Sequence, residues 1–87
     1  MTELERMLSG DVYDMAWRLR AAMALSDITV RELAETAGVT TTTVNCARSP
    51  QIHRKVGYTT YRKIFLTIKD CRPGALRMVV AAEKARA

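Results

Sequence analysis

Residues 30–49 read VRELAETAGVTTTTVNCARS, and they carry the strongest structural signal in the chain. Thr29 and Glu32 have the spacing of a capping box, which predicts that a helix begins directly after Thr29. Gly38 ends this helix, because glycine readily takes the left-handed conformation that a sharp turn requires. Thr40 can cap a second helix immediately afterwards. The stretch therefore predicts two short helices joined by a tight turn.

The side chains of this stretch fit a close approach of its two helices, residues 30–37 and 41–48. Helices that cross steeply with almost no linker need small or apolar residues at fixed places. Seven positions meet that requirement: Leu33, Ala34, Ala37, Gly38, Val39, Val44 and Ala47. The threonines at 40–43 are poor residues for a helix interior, but their hydroxyls suit a first turn, where backbone donors are free. We expect them to act as caps and contacts outside the core.

Helical signals continue on both sides of this stretch. Glycine, proline and capping residues divide the chain into about six short segments, and none shows the sustained alternation of a half-buried strand. The outer segments begin near Thr2, Asp11 and Ala75. A chain of 87 residues has room for one domain. We therefore predict an all-α fold, a compact bundle of about five helices that forms a single domain over residues 1–87.

Two of the remaining segments make specific predictions about side chains. Asp11 should cap a long helix in which Arg18 and Arg20 point away from the apolar face. Thr59 or Thr60 should cap a later helix with an apolar stripe. The residues of that stripe are Tyr61, Ile64, Phe65 and Ile68.

Positive charge is concentrated in the middle of the chain. The formal net charge is +5, from 14 Lys and Arg against 9 Asp and Glu. Residues 1–14 carry four acids against one arginine, whereas residues 47–63 contain no acid. The cations of the second stretch are Arg48, Arg54, Lys55, Arg62 and Lys63. This stretch is a candidate for phosphate contacts, and the alternative is a solvated basic face without a partner.

The sequence offers little for metal binding or catalysis. Cys46 and Cys71 do not have a metal-ligand spacing, and His53 is the only histidine. No glycine-rich phosphate loop and no nucleophile with a base is recognisable. We therefore expect no metal, no cofactor and no enzymatic activity. The chain shows neither a long apolar run nor a basic leader, so we expect a cytoplasmic protein with no membrane segment and with reduced cysteines.

Residues 30–49 resemble the motif of helix-turn-helix regulators of transcription. The segment TVRELAETAGVTTTTV, residues 29–44, is locally similar to the start of lactose-repressor-type DNA-binding domains. Those domains usually begin at the motif, whereas here an amphipathic helix precedes it and two helices follow. This arrangement is similar to the lambda-repressor-like domains of Cro and phage repressors, which is the resemblance we prefer.

The resemblance implies which residues would contact DNA. The base-reading residues would be Thr41, Thr42, Asn45 and Cys46. Asparagine can pair with adenine through two hydrogen bonds, and threonine can reach bases or a thymine methyl. The phosphate-binding residues would be Thr29, Arg31, Thr40, Arg48, Arg54 and Lys55. Cys46 is an uncommon reader, and a small apolar filler is an equal alternative for it.

The function that the resemblance implies is regulation of transcription. We expect a sequence-specific, double-stranded DNA-binding repressor that acts as a homodimer on a palindromic operator. The helix at residues 75–86 is the candidate dimerisation helix. The alternative is a helix-turn-helix-derived interaction module, such as an antiactivator or adaptor, that binds a regulatory protein partner. DNA binding that weakens with salt separates the two hypotheses.

Overall fold

The computed structural model describes residues 1–86 of the chain, and these residues contain six helices. They are α1 (Glu3–Met7), α2 (Val12–Ser26), α3 (Val30–Ala37), α4 (Thr41–Arg48), α5 (Tyr58–Cys71) and α6 (Ala75–Arg86). The described residues contain no strand, so the prediction of an all-α bundle is confirmed. Five of the helices have two turns or more, and α1 is little more than a single turn.

Local caps begin and end the helices largely as predicted. Thr2 and Asp11 each form a reciprocal capping box with the acidic residue three positions later. Thr40 accepts a hydrogen bond from the backbone N–H three positions later and so caps α4. Gly38 ends α3 in the left-handed region, with φ +74°. The two helices of residues 30–49 and the turn between them are therefore present.

The capping box predicted at α3 is only half formed. The Thr29 hydroxyl accepts a hydrogen bond from the Glu32 N–H at 3.0 Å, but the Glu32 carboxylate does not return to Thr29. That carboxylate lies 3.4 Å from the guanidinium of Arg72, which follows α5. The prediction of a complete box was wrong because a charge pair from a distant part of the chain competes for the carboxylate.

The prediction that Thr59 or Thr60 caps α5 was also wrong. The helix begins at Tyr58, and its N-cap is Gly57, which makes no side-chain hydrogen bond. Both threonines therefore lie inside the first turn, where they cannot cap the helix from outside. Glycine is acceptable at an N-cap, but it supplies no acceptor for the first backbone N–H groups. The start of α5 thus has donors without a side-chain partner.

The core is built around the apolar stripe of α5. All four predicted residues of the stripe are fully buried: Tyr61, Ile64, Phe65 and Ile68. The rings of Tyr61 and Phe65 stack with their centroids 6.4 Å apart. Leu19 of α2, Val44 of α4 and Val79 of α6 belong to the same core. Because each such side chain stabilises the fold by about 1.5–3 kcal/mol when buried, this stripe is a large part of the core against which the other helices pack.

Arg18 and Arg20 were predicted to point away from the apolar face of α2, but both side chains turn towards neighbouring parts of the bundle. Arg18 is only 7% exposed. Its guanidinium donates to two backbone carbonyl oxygens at the end of α1, and its Nε lies 2.8 Å from the Glu83 carboxylate of α6. Arg20 is half-buried and donates to the carbonyl oxygen of Arg48. The prediction was wrong because free carbonyl groups at helix ends attract cations, which apolar periodicity cannot reveal.

Candidate nucleic-acid interface

α4 has one polar face towards solvent and one apolar face towards the core. Thr41, Thr42 and Asn45 are exposed, and Cys46 is half-buried. These four residues recur at helical spacing and therefore share a face. The two apolar residues opposite them, at positions 44 and 47, are fully buried. The four predicted base-reading residues are thus brought together, with Cys46 the least accessible.

Exposed threonines cap the starts of α3 and α4. Thr29 and Thr40 each use their Oγ1 to accept a backbone hydrogen bond. The Thr40 hydroxyl also lies 2.9 Å from that of Thr43. A capping hydroxyl still has a proton to donate, and a phosphate oxygen can accept it. The first turn of α4 contains no acid, so the positive end of its dipole is not offset.

Arg48 lies at the last turn of α4 and is half-buried. One of its terminal nitrogens is 3.5 Å from Asn45 Oδ1, which is the outer limit of a hydrogen bond. Its Nε is buried and makes no hydrogen bond among the described residues. The long contact to Asn45 is weak, so it leaves both side chains able to change partner.

Arg31 on α3, one of the predicted phosphate-binding residues, pairs with a carboxylate. Its Nε lies 3.3 Å from Glu35, one turn later on the same helix. Both side chains are exposed, 85% and 69%, so water screens the pair and its contribution to stability is small. Arg31 can leave Glu35 at little cost, but the acid offsets its charge.

The loop between α4 and α5 carries Arg54 and Lys55, and both side chains are exposed. Lys55 Nζ lies 5.1 Å from the centre of the Tyr13 ring, at the start of α2. Such a cation–π contact at an exposed site contributes about 0.5–1 kcal/mol. This contact fastens one residue of the loop to the helical body while its charge stays at the surface.

Residues 36–69 contain no Asp or Glu, and we call them the acid-free segment. Its cations are Arg48, Arg54, Lys55, Arg62, Lys63 and Lys69. The ion pairs among the described residues join other arginines to acids that lie outside the segment. The cations of the acid-free segment are therefore not neutralised by carboxylates of the described chain.

Further residues belong to this surface or support it, and sequence reasoning anticipated only some of them. Arg62 and Lys63 are exposed in the first two turns of α5, directly after the uncapped start of that helix. Their signal was already present in the acid-free composition. Tyr61 and Arg20 donate hydrogen bonds to the last turn of α4. Only the arrangement of the helices reveals that support.

Other kinds of site find little support in the described residues. No three His, Cys, Asp or Glu side chains within residues 1–86 group closely enough to hold a metal ion. A cleft between α3 and α5 is lined by residues that include Thr36, Thr67 and Cys71, and its cavity volume is about 10 Å³. That is roughly the space of one water molecule, far less than a small-molecule ligand needs. None of the described helices has the length and apolar character needed to traverse a bilayer.

Comparison with protein families, with characterised proteins and with solved structures finds no match to this chain. A proposal for its function therefore depends on its own side chains and their arrangement.

Proposed function

We propose that this protein binds double-stranded DNA and regulates transcription, with α4 as the helix that enters the major groove. One observation carries the proposal. The exposed polar face of α4 belongs to the acid-free segment, residues 36–69, whose cations take part in no ion pair among the described residues. A polyanion such as DNA provides the negative counter-charge for these cations. The major groove of DNA is wide enough to admit a helix.

Base reading is assigned to the exposed side chains of α4. Asn45 can pair with an adenine through two hydrogen bonds, after it leaves its weak contact with Arg48. Thr41 and Thr42 lie in the first turn, where a recognition helix usually meets base edges. Cys46 is half-buried and contributes an apolar contact at the edge of this face.

Phosphate binding is assigned to the helix starts and the basic loop. Thr29 and Thr40 are exposed at the positive ends of α3 and α4. The exposed cations Arg54 and Lys55 supply attraction that does not depend on DNA sequence. Arg48 and Arg31 are the weaker members of the set, since one is half-buried and the other is paired with Glu35.

We propose that the regulator is a homodimeric, cytoplasmic repressor. An interface from a single small helical unit is modest in area, and a second copy doubles the contacts with DNA. The proposed dimerisation helix α6 places Leu76 and Val79 in the core of its own chain, which leaves Met78, 47% exposed, as its large apolar surface residue. Any dimer through α6 would therefore use a small contact and depend on DNA for much of its stability.

The experiment that tests the proposal is a salt titration of binding. The DNA upstream of the protein's own gene is compared with a random duplex of equal length, and the number of chains per duplex is recorded. We expect preferential binding to the upstream DNA, with an affinity that falls steeply with salt and two chains per site. Absence of binding to either duplex at low salt would refute DNA binding and favour a protein partner.

Two variants with matched controls separate base reading from phosphate binding. Asn45→Ala should weaken binding to the preferred duplex by about 1–3 kcal/mol and leave random-duplex binding unchanged. Its control is Gln51→Ala, which removes an exposed amide from the loop. Arg54→Ala should weaken binding to both duplexes and lower the salt slope by about 1. Its control is Arg77→Ala, an 83% exposed arginine of α6 that lies outside the acid-free segment.

A further inference from the structure

The C-terminal end of α4 is held by side chains from two other helices. The Tyr61 hydroxyl of α5 donates to the Ala47 carbonyl oxygen at 2.6 Å, in a buried position. The Arg20 guanidinium of α2 donates to the Arg48 carbonyl oxygen. The last carbonyl groups of a helix have no partner within it, so both bonds satisfy acceptors that would otherwise need water.

We propose that Tyr61 and Arg20 are positioning residues that set the orientation of α4 for base reading, an inference that rests on the proposed function. α4 has only eight residues, and a helix of that length is not stable by itself. Its N-terminal end is tied to α3 through the three-residue turn and the Thr40 cap. The two donors fix its other end from two directions, which restrains both its tilt and its rotation.

The size of the effect follows from helix geometry. Side-chain tips lie about 5–6 Å from a helix axis, so a rotation of about 20° moves a tip by about 2 Å. A productive binding constellation tolerates about 0.5 Å. Asn45 and Cys46 lie within three residues of both anchored carbonyl groups. A small loss of anchoring is therefore enough to misplace the base-reading side chains while α4 stays folded.

The Tyr61 hydroxyl is suited to permanent anchoring. Burial raises the pKa of Tyr61 to about 12, although the nearby charge of Arg20 acts in the opposite direction. The phenol therefore remains protonated, and remains a donor, throughout the neutral range. Its ring is fixed independently of the hydroxyl by stacking on Phe65.

Tyr61→Phe is the informative variant, because it removes the hydroxyl but keeps the ring and the net charge. Binding is measured on a duplex selected from a random pool by the wild-type chain, and on an unselected duplex. We expect the preference for the selected duplex to fall about five- to tenfold. This is the lower end of the loss of discrimination that follows when one base contact is removed. Affinity for the unselected duplex and the salt slope should not change, whereas general destabilisation would lower binding to both duplexes.

Arg20→Lys and Arg77→Lys form a matched pair of charge-conserving substitutions. Lysine at position 20 keeps the charge but loses the reach and planar geometry of the guanidinium. We expect Arg20→Lys to lower the preference for the selected duplex and Arg77→Lys to leave it unchanged. An unchanged preference in both Tyr61→Phe and Arg20→Lys would overturn the positioning role while DNA binding itself stands.

Amide hydrogen exchange tests the anchoring without DNA. Tyr61→Phe should speed exchange about fivefold at the amides of residues 44–48, which corresponds to one lost hydrogen bond, and leave α3 amides unchanged. Failure of the wild-type chain to select any duplex would refute the proposed function and with it base reading. Unaltered exchange in α4 would refute the anchoring, regardless of the DNA-binding results.

Discussion

Two groups of arginine and lysine residues in this protein are chemically alike but differ in their surroundings. Arg18, Arg20 and Arg72 each donate to carbonyl oxygens at helix ends, and we call them the helix-end arginines. The exposed cations of the acid-free segment, by contrast, meet no carboxylate among the described residues. Net charge therefore overstates the positive charge that is available to a partner, since part of it stabilises the fold.

The largest expected difference between the groups concerns stability. Arg18→Ala removes donors from two carbonyl groups and leaves Glu83, 23% exposed, without its partner. Because Glu83 is partly exposed, water can replace Arg18 there, and loss of the charged hydrogen bonds should cost about 2–3 kcal/mol, still a large part of the stability of a small protein. Urea unfolding followed by circular dichroism measures the free energy of unfolding.

The control is Arg54→Ala in the acid-free segment, whose effect should stay within about 0.5 kcal/mol. Arg18→Met keeps most of the buried volume and should recover part of the loss if packing contributes. Equal free energies of unfolding for Arg18→Ala and Arg54→Ala would contradict the distinction between the two groups.

A second, smaller effect is expected at Arg72. Its Nε donates to the Ser26 carbonyl oxygen at 3.2 Å, and its terminal nitrogen pairs with Glu32 in a half-exposed position. Arg72→Ala should lower the free energy of unfolding by about 1–2 kcal/mol, mainly through the lost helix-end bond. Lys69→Ala, an exposed neighbour on α5, is the matched control in the same urea titration. Similar values for the two variants would mean that this helix-end bond adds nothing.

The uncapped start of α5 allows a prediction in which stability and binding move in opposite directions. Thr59 is exposed in the first turn of α5, and an acid there complements the helix dipole. Thr59→Glu should raise the free energy of unfolding by about 0.3–1 kcal/mol. It should also weaken DNA binding, because it introduces a negative charge into the acid-free segment. Thr59→Gln is the neutral control, and unchanged affinity in Thr59→Glu would mean that the start of α5 lies away from DNA.

A further effect appears only in alkaline solution and is absent at neutral pH. The pKa of Tyr61 is about 12 in the folded chain and near its ordinary value of 10 in the unfolded chain. The folded state therefore holds this proton more tightly, and the resulting stabilisation is complete below pH 10 and is lost as pH rises towards 12. The wild-type chain should lose stability over that range more steeply than Tyr61→Phe. Parallel pH profiles of the two chains would contradict a raised pKa.

Much of the fold was predictable because its signals are local. The caps at Thr2, Asp11 and Thr40 act on backbone groups within three residues, so their effect does not depend on the rest of the chain. Gly38 ends α3 for the same local reason. The stripe of α5 follows from helical period alone, and every one of its residues is buried.

The candidate site was predictable only in part. Helical spacing placed Thr41, Thr42 and Asn45 on one exposed face of α4, since α4 formed where the caps predicted it. The start of α5 was not predictable, because Gly57 gives no polar capping signal and Thr59 gives a misleading one. The half-formed box at Glu32 was missed because its competitor lies 40 residues away.

Local signals in the amino-acid sequence are enough to predict the helical class, most helix ends and the concentration of positive charge in the middle of the chain. The packing of the helices determines which cations bond within the fold and which contacts hold α4 in place. Arg18 meets Glu83 across 65 positions, Arg20 meets Arg48 across 28, and Tyr61 meets Ala47 across 14. Composition and periodicity describe neighbours along a helix, whereas these bonds join separate helices that meet only when the bundle packs.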